Sequence, residues 1–159
     1  MSVENIQLST NFNLREFFNP NDRGVTWRSR TWPQHNITVR PRPDDNLIHN
    51  LQTLRDMFGR PVTITSGIRS VEHNSTLRGA SANSAHMTGA AADFQVRQTT
   101  RNKQVLRALT VREMVEVVQR AFNQGLLKGL GFVYAGSTFV HIGVDSEVPR
   151  RSIWGAGFV

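Results

Sequence analysis

The chain has 159 residues, 38% of them hydrophobic, which suffices for one buried core and is too short to make two ordinary domains the expectation. It contains no cysteine, so a disulfide scaffold and thiolate chemistry, at zinc or as a nucleophile, are excluded. Nineteen Lys and Arg against twelve Asp and Glu give a formal charge of +7, which favours nucleic acid, acidic lipid or a teichoic-acid-bearing wall as partner without choosing among them.

The start Met1-Ser2-Val3-Glu4-Asn5 lacks the basic-then-apolar order of a secretory signal, and no apolar run approaches the ~20 residues of a membrane span. The expectation is a product made in the cytoplasm without a signal peptide and with no membrane span. Residues 1–43 are polar and punctuated by Asn19-Pro20-Asn21-Asp22 and Arg40-Pro41-Arg42-Pro43, which reads as an N-terminal arm packed on a domain spanning 44–159. Within the arm only Leu14, Phe17 and Phe18 predict a short helix. Trp27 and Trp32 lie among Arg23, Arg28 and Arg30. They can form a surface that stacks on sugars or bases, or they can pack the arm onto the domain while the arginines stay solvated; the second reading is preferred.

Asp44 or Asp45 caps a predicted helix with Leu47, Leu51, Leu54 and Phe58 on one face and Gly59 at its end. His49 falls within it as a surface or packing residue. Val62-Thr63-Ile64-Thr65 is β-branched and reads as a strand, which exits into Ser66-Gly67-Ile68-Arg69-Ser70 and a short helical turn carrying Glu72, His73 and Asn74. Arg69 is either an ordinary surface arginine or a fixed cation suited to hold a carbonyl or carboxylate oxygen. After a loop of small polar residues from Ser75 to Asn83, the stretch Ser84 to Asp93 places His86 and Asp93 seven positions apart, with His86 before a strand and Asp93 on it.

Residues 97–109 carry Arg97, Arg101, Lys103 and Arg107 and read as a solvated basic connection. Thr110-Val111-Arg112-Glu113 has capping-box spacing and opens an amphipathic helix through Val111, Met114, Val115, Val118 and Phe122 that stops near Gly125. Residues 131–134 and 138–144, joined by Ala135-Gly136-Ser137, predict an antiparallel hairpin with His141 on its second strand. The tail from Asp145, with Glu147 and Trp154, is expected to lie across the surface. No phosphate loop of the GxxxxGK[ST] type and no HExxH helix occurs.

His86, Asp93 and His141 together offer two nitrogens and one oxygen, a donor set that leaves a position open and suits catalytic rather than structural zinc. Read from spacing alone, the alternative is a loop histidine and a strand aspartate that only bonds to backbone.

Ser84, His86, Gly89, Ala91 and Asp93 fit SxHxxGxAxD. With this motif the chain resembles the zinc D-alanyl-D-alanine carboxypeptidase family of murein peptidases. That family takes in D,D-carboxypeptidases, vancomycin-resistance D,D-dipeptidases and phage L-alanyl-D-glutamate endopeptidases, with the hedgehog signalling domain as a distant relative. Thr65 to Ser70 followed by Glu72-His73-Asn74 is similar to the family's segment before the motif, and Phe139-Val140-His141 resembles its last ligand strand, so the resemblance covers roughly residues 44 to 154. It implies Zn2+ on His86, Asp93 and His141, substrate binding or polarisation by Arg69, and Ser84 as a nearby hydrogen-bonding group. It also implies a small single α+β domain, with an antiparallel sheet carrying the zinc site and helices packed on one side.

The chain departs from the family at the base. Several members carry Glu or Asp three residues before the last ligand, where this chain has Thr138, and others carry His-x-Asp, where it has His141-Ile142-Gly143. Asp145 shares a strand face with His141 by the period of two, but four residues span ~13 Å when extended, so Gly143 must bend the strand to bring it to the metal. Glu147 and His73 are lesser choices. The expectation is a zinc metallopeptidase acting on the stem peptides of bacterial peptidoglycan, as a D,D-carboxypeptidase or endopeptidase. Its expected setting is phage or virus lysis, or a virion, acting on the wall after lysis or delivery. The alternatives are a catalytically inactive metal-bearing binding or virion structural module and, ranked last, a basic nucleic-acid-binding protein.

Overall fold

The structure is a computed structural model that describes residues 5–144 and 154–155. Asp145 and Glu147, weighed above, lie outside the described residues. In chain order the elements are β1 (Trp27–Arg28), β2 (Asn36–Ile37), α1 (Asp45–Phe58), β3 (Thr63–Ser66), α2 (Val71–Thr76), β4 (Ala91–Gln95), β5 (Thr99–Arg101), β6 (Gln104–Leu106), α3 (Val111–Asn123), β7 (Leu130–Ala135) and β8 (Val140–Val144). Single-turn 3-10 helices at Leu14–Phe17 and Ala85–Thr88 complete the set.

The helices form for reasons written in their ends. Asp44 accepts the Asn46 N–H at 2.9 Å and opens α1, which buries Leu47, Leu51 and Leu54. Thr110 and Glu113 close a reciprocal capping box at the start of α3, whose Met114, Val115, Val118 and Ala121 are buried. Arg107 clamps Glu113 bidentately at 2.7 and 2.8 Å, and these contacts hold the exposed carboxyl down at about 2. A bond from Gly136 N–H to the Phe139 carbonyl, 2.8 Å, closes the hairpin of β7 and β8.

The central sheet runs β3-β4-β8-β7, antiparallel throughout, as the α+β reading expects. Alternation along the strands sorts the side chains by face. Val140, Ile142 and Val144 of β8, Ala92 and Phe94 of β4 and Val133 of β7 are fully or almost fully buried. Helices α1 and α3 pack on each other and on β8, and Phe58 of α1 meets Phe94 at 6.1 Å between ring centroids. His141, Asp93 and Tyr134 lie on the opposite face.

Residues before 44 enter the same core. Phe12, Phe17 and Trp27 are buried in it, and the Phe17 carbonyl accepts the Ile68 N–H at 2.8 Å. The two tryptophans part company: Trp32 stays 59% exposed and stacks on His35. The basic connection of 97–109 is more ordered than expected, because β5 and β6 form a hairpin within it. Its reversal places Asn102 and Lys103 at positive φ, 50° and 64°, the conformation of a tight two-residue hairpin turn in a segment that has no glycine to announce it. Buried Arg60 holds this hairpin by donating Nη2 to the carbonyls of Arg97, Leu106 and Arg107.

Thr110→Ala should lower stability by about 1 kcal/mol through loss of the cap, whereas Thr110→Ser should stay close to wild type; urea denaturation of the three proteins measures this.

Candidate metal centre

Three strand pairings put the site together. Ser66 of β3 stands opposite Asp93 of β4, Asp93 opposite His141 of β8, and His141 opposite Tyr134 of β7. Directly opposed residues share a face, so these four side chains form one row across the sheet. A bulge between Ile64 and Ser66 brings Ser66 into the row. His86 joins from the 3-10 turn Ala85–Thr88, which leads into β4.

That turn is tied at both ends. The Ser84 hydroxyl accepts the His86 N–H at 3.3 Å, so the structure places Ser84 as the cap of the turn. Gly89 ends it at φ 77°, where a Cβ would meet the Arg42 carbonyl at 2.6 Å. Arg30 donates from Nε and Nη2 to the Thr88 carbonyl at 3.2 and 3.1 Å and also bonds the Arg42 carbonyl, while the Asp44 N–H reaches the Gly89 carbonyl at 2.9 Å. Arg30, expected among the solvated arginines, instead braces the histidine turn.

The orientation of the His86 ring follows from one bond. Nδ1 lies 2.7 Å from the Gly67 carbonyl, which can only accept, so Nδ1 carries the proton and Nε2 presents a lone pair. Gly67 itself sits where a Cβ would meet the Phe17 carbonyl at 2.5 Å, so only glycine allows this approach. The Arg69 N–H donates to the His86 carbonyl at 3.0 Å, a second tie between the exit of β3 and the histidine turn.

His86 Nε2 is buried and has no hydrogen-bond partner. It faces Asp93 Oδ1 at 3.4 Å, and His141 Nδ1 lies 2.8 Å from that same oxygen. One atom from each of the three residues falls within 4.8 Å of the others, and all three residues are buried. Ligand atoms on a tetrahedral zinc with bonds of ~2.0–2.1 Å stand about 3.3 Å apart, so the two spacings to Asp93 match such a cation to within about half an ångström, and the two imidazoles lie within 4.8 Å of each other. An unpartnered buried ring nitrogen otherwise costs on the order of 1–3 kcal/mol, which a bound cation would offset.

The electrostatics agree with metal ligation. Burial alone would raise the Asp93 carboxyl, but the hydrogen bond donated by His141 opposes it and Asp93 is held well below the usual carboxylate range. Burial pushes His86 below its ordinary value of 6.5 against the pull of Asp93, and the charges of Arg69 and His141 push the same way. Near neutral pH the pair is an anion beside a neutral imidazole, the forms that bind a metal.

Arg69 borders this group. Its Nε donates to the Ser66 hydroxyl at 3.2 Å and its Nη1 to Asn74 Oδ1 at 2.9 Å, which leaves Nη2 for an incoming oxygen. Burial lowers its pKa, and the nearby Asp93 and Tyr134 oppose that shift. A cleft of about 270 Å3 opens beside it, lined in part by Glu16, Phe18, Ser66 and His73. Thr138 accepts a bond from Gln95 Nε2 at 3.3 Å, so an amide and a hydroxyl occupy the place where the resemblance leads one to look for a carboxylate.

Sequence reading missed Tyr134. Its ring stacks on His141, 4.6 Å between centroids and 14° between planes. The turn bond from Gly136 to Phe139 pairs Ala135 with Val140 and hence Tyr134 with His141, so the hairpin register was the signal that could have found it.

A family model described as Peptidase M15 matches residues 23–142. No curated protein and no solved structure matches the chain.

Gly67→Ala should lower zinc affinity about 10–100-fold by displacing the carbonyl that orients His86, as read by competition with a chromophoric chelator. The metal-free protein should lose stability on acidification. Below pH 6.5 the unfolded chain takes up a proton that folded His86 resists, and below 3.8 the same holds for Asp93, so stability falls through both windows as pH drops. Urea midpoints between pH 7.5 and 5 test the His86 part, and a flat profile would contradict it.

Proposed function

Because the chain belongs to the M15 family of zinc D-alanyl-D-alanine carboxypeptidase-like metallopeptidases, we propose that it hydrolyses a peptide bond next to a D-amino acid in bacterial peptidoglycan, with zinc held by His86, Asp93 and His141. The observation that carries this reading is the convergence of the buried, unpartnered His86 Nε2 and of His141 Nδ1 on one Asp93 oxygen. When bound, zinc supplies a Lewis acid for the scissile carbonyl and lowers the pKa of water enough for amide hydrolysis near neutral pH.

The protein's own groups supply position and proton transfer. Arg69, held by Ser66 and Asn74, presents a fixed guanidinium edge to a substrate carbonyl or carboxylate oxygen. Asp145, the next residue in sequence after β8, is the proposed proton-transfer group. Thr138 cannot take that role, because a hydroxyl is no base at neutral pH.

The proposed setting is a phage lysis enzyme or a virion-associated wall hydrolase, and the charge of +7 suits attraction to an anionic wall. The family's D,D-carboxypeptidase and endopeptidase activities are both open to this site. The absence of a carboxylate at position 138 favours a second reading, a metal-bearing binding or virion structural module without hydrolysis.

Mass spectrometry of muropeptides after digestion decides between the two and reports the bond cut. His86→Ala should lose both zinc and cleavage. Arg69→Ala should keep zinc while kcat/KM falls about 10²–10³-fold. Cleavage by a metal-free preparation, or zinc-loaded wild type that leaves muropeptides intact, would sink the peptidase reading.

A further inference from the structure

One large aromatic side chain is used neither by the metal centre nor by the core. Trp27 is buried in the core, whereas Trp32 of the same arm stays 59% exposed. Leaving an indole in water forgoes the burial that its neighbour obtains.

The loop that carries Trp32 is tightly tied. It joins β1 to β2, whose pairing sets Arg28 opposite Asn36. Within it the Ser29 N–H donates to the His35 carbonyl at 3.0 Å, and the His35 N–H to the Trp32 carbonyl at 2.8 Å. The Ser29 hydroxyl accepts the Trp32 N–H at 3.1 Å, and Arg28 Nη1 donates to the Pro33 carbonyl at 3.2 Å. His35 lies along the indole, 6.3 Å between centroids and 29° between planes, and restricts its rotation. Backbone bonded this closely around an exposed ring holds the ring out as a fixed plate.

The same loop is joined to the metal centre. Arg30, just before Trp32, donates to the carbonyl of Thr88 in the turn that carries His86. With at most ~3.6 Å of chain per residue and the arginine side chain between, Trp32 lies within about 25 Å of His86. Residues 23–43 include Arg23, Arg28, Arg30, Arg40 and Arg42 and no carboxylate, so this stretch does not repel an anionic wall.

We propose that Trp32, backed by His35, is a sugar platform whose indole stacks on a pyranose ring of the peptidoglycan glycan strand, while the stem peptide hanging from that strand reaches His86, Asp93 and His141. The inference rests on the peptidase reading and adds a second contact with the same substrate. A pyranose has an apolar face of C–H bonds and a rim of hydroxyls, so it covers an indole while its hydroxyls keep their water. A stem peptide is linked through a lactyl group to a sugar of the strand, so a peptide at the metal centre brings a sugar with it. A stem of roughly four or five extended residues with that link spans about 15–20 Å, a length that fits within the separation of loop and site. A nucleobase stacks on an indole as well, but it arrives without the peptide that the site is read to hold.

The test compares zinc-loaded wild type, Trp32→Ala and Trp32→Tyr at about 1 M NaCl, where attraction by net charge is screened beyond about 3 Å and ring stacking persists. The probes are an N-acetylglucosamine hexamer, sacculi stripped of teichoic acid, and a single-stranded oligonucleotide. Trp32→Ala should bind the hexamer and the sacculi about tenfold or more weakly, the scale of one lost stack, and Trp32→Tyr should keep most of the affinity. Both variants should retain wild-type zinc affinity and wild-type kcat/KM on a sugar-free stem peptide, while KM on glycan-attached peptide rises in Trp32→Ala. A Trp32→Ala protein that binds hexamer and sacculi as wild type does overturns the proposal. So does wild type that binds neither or that prefers the oligonucleotide, and so does zinc loss in Trp32→Ala, since the role would then be structural. If sacculi are held through Trp32 but no peptide is cut, the peptidase reading fails and the sugar platform stands as a wall-binding contact.

Discussion

Asp93 is a carboxylate taken out of water, and the fold is arranged to keep it ionised. A buried charge is tolerated only when it is paired and hydrogen-bonded, since burial alone costs several kcal/mol per ion. Here the hydrogen-bond partner is His141 from the neighbouring strand, while His86, from the turn before β4, brings an unprotonated Nε2 to 3.4 Å from the same oxygen. Removing His141 would leave the carboxylate short of compensation. The same arrangement leaves one imidazole nitrogen without a partner, a defect that a cation repairs.

Holding His86 in place takes more of the chain than the motif that contains it. Its ring is aimed by the Gly67 carbonyl, Gly67 is pressed against Phe17, and Phe17 is buried in the core. The turn is braced from another direction by Arg30 and Asp44. Residues from the first third of the chain thus set the geometry of a site whose donors lie at 86, 93 and 141, and orientation of this kind governs metal affinity as much as the donors themselves.

Strand β8 shows how one short segment serves stability and chemistry together. Val140, Ile142 and Val144 face the helices, while His141 and Gly143 face the site, so the apolar residues that anchor the strand also fix the height and direction of the imidazole. A slip of one residue would exchange the faces, burying the imidazole against the helices and removing the nitrogen from Asp93. The apolar residues of the helix face therefore guard the register of the site.

Much of this was legible in the residues. Helix α1 announced itself by an Asp cap and leucine spacing, α3 by its capping box, and the last hairpin by its alternation and its Ala-Gly-Ser turn, because these signals act within a few residues of the backbone they shape. The site motif likewise showed its local order, with His86 before a strand and Asp93 on it. Three things were decided only by tertiary structure. The hairpin of β5 and β6 depends on Asn102 and Lys103 taking positive φ, a conformation asparagine tolerates and lysine adopts here against its preference, which closure of the ladder and the grip of Arg60 make worthwhile. The parting of Trp27 from Trp32 depends on which reaches the core, and composition treats them alike. The row from Ser66 to Tyr134 depends on strand order and register, quantities set by long-range pairing. The sequence by itself determined which atoms can bind a metal; packing across the sheet decided that they meet, and that a tyrosine stands beside them.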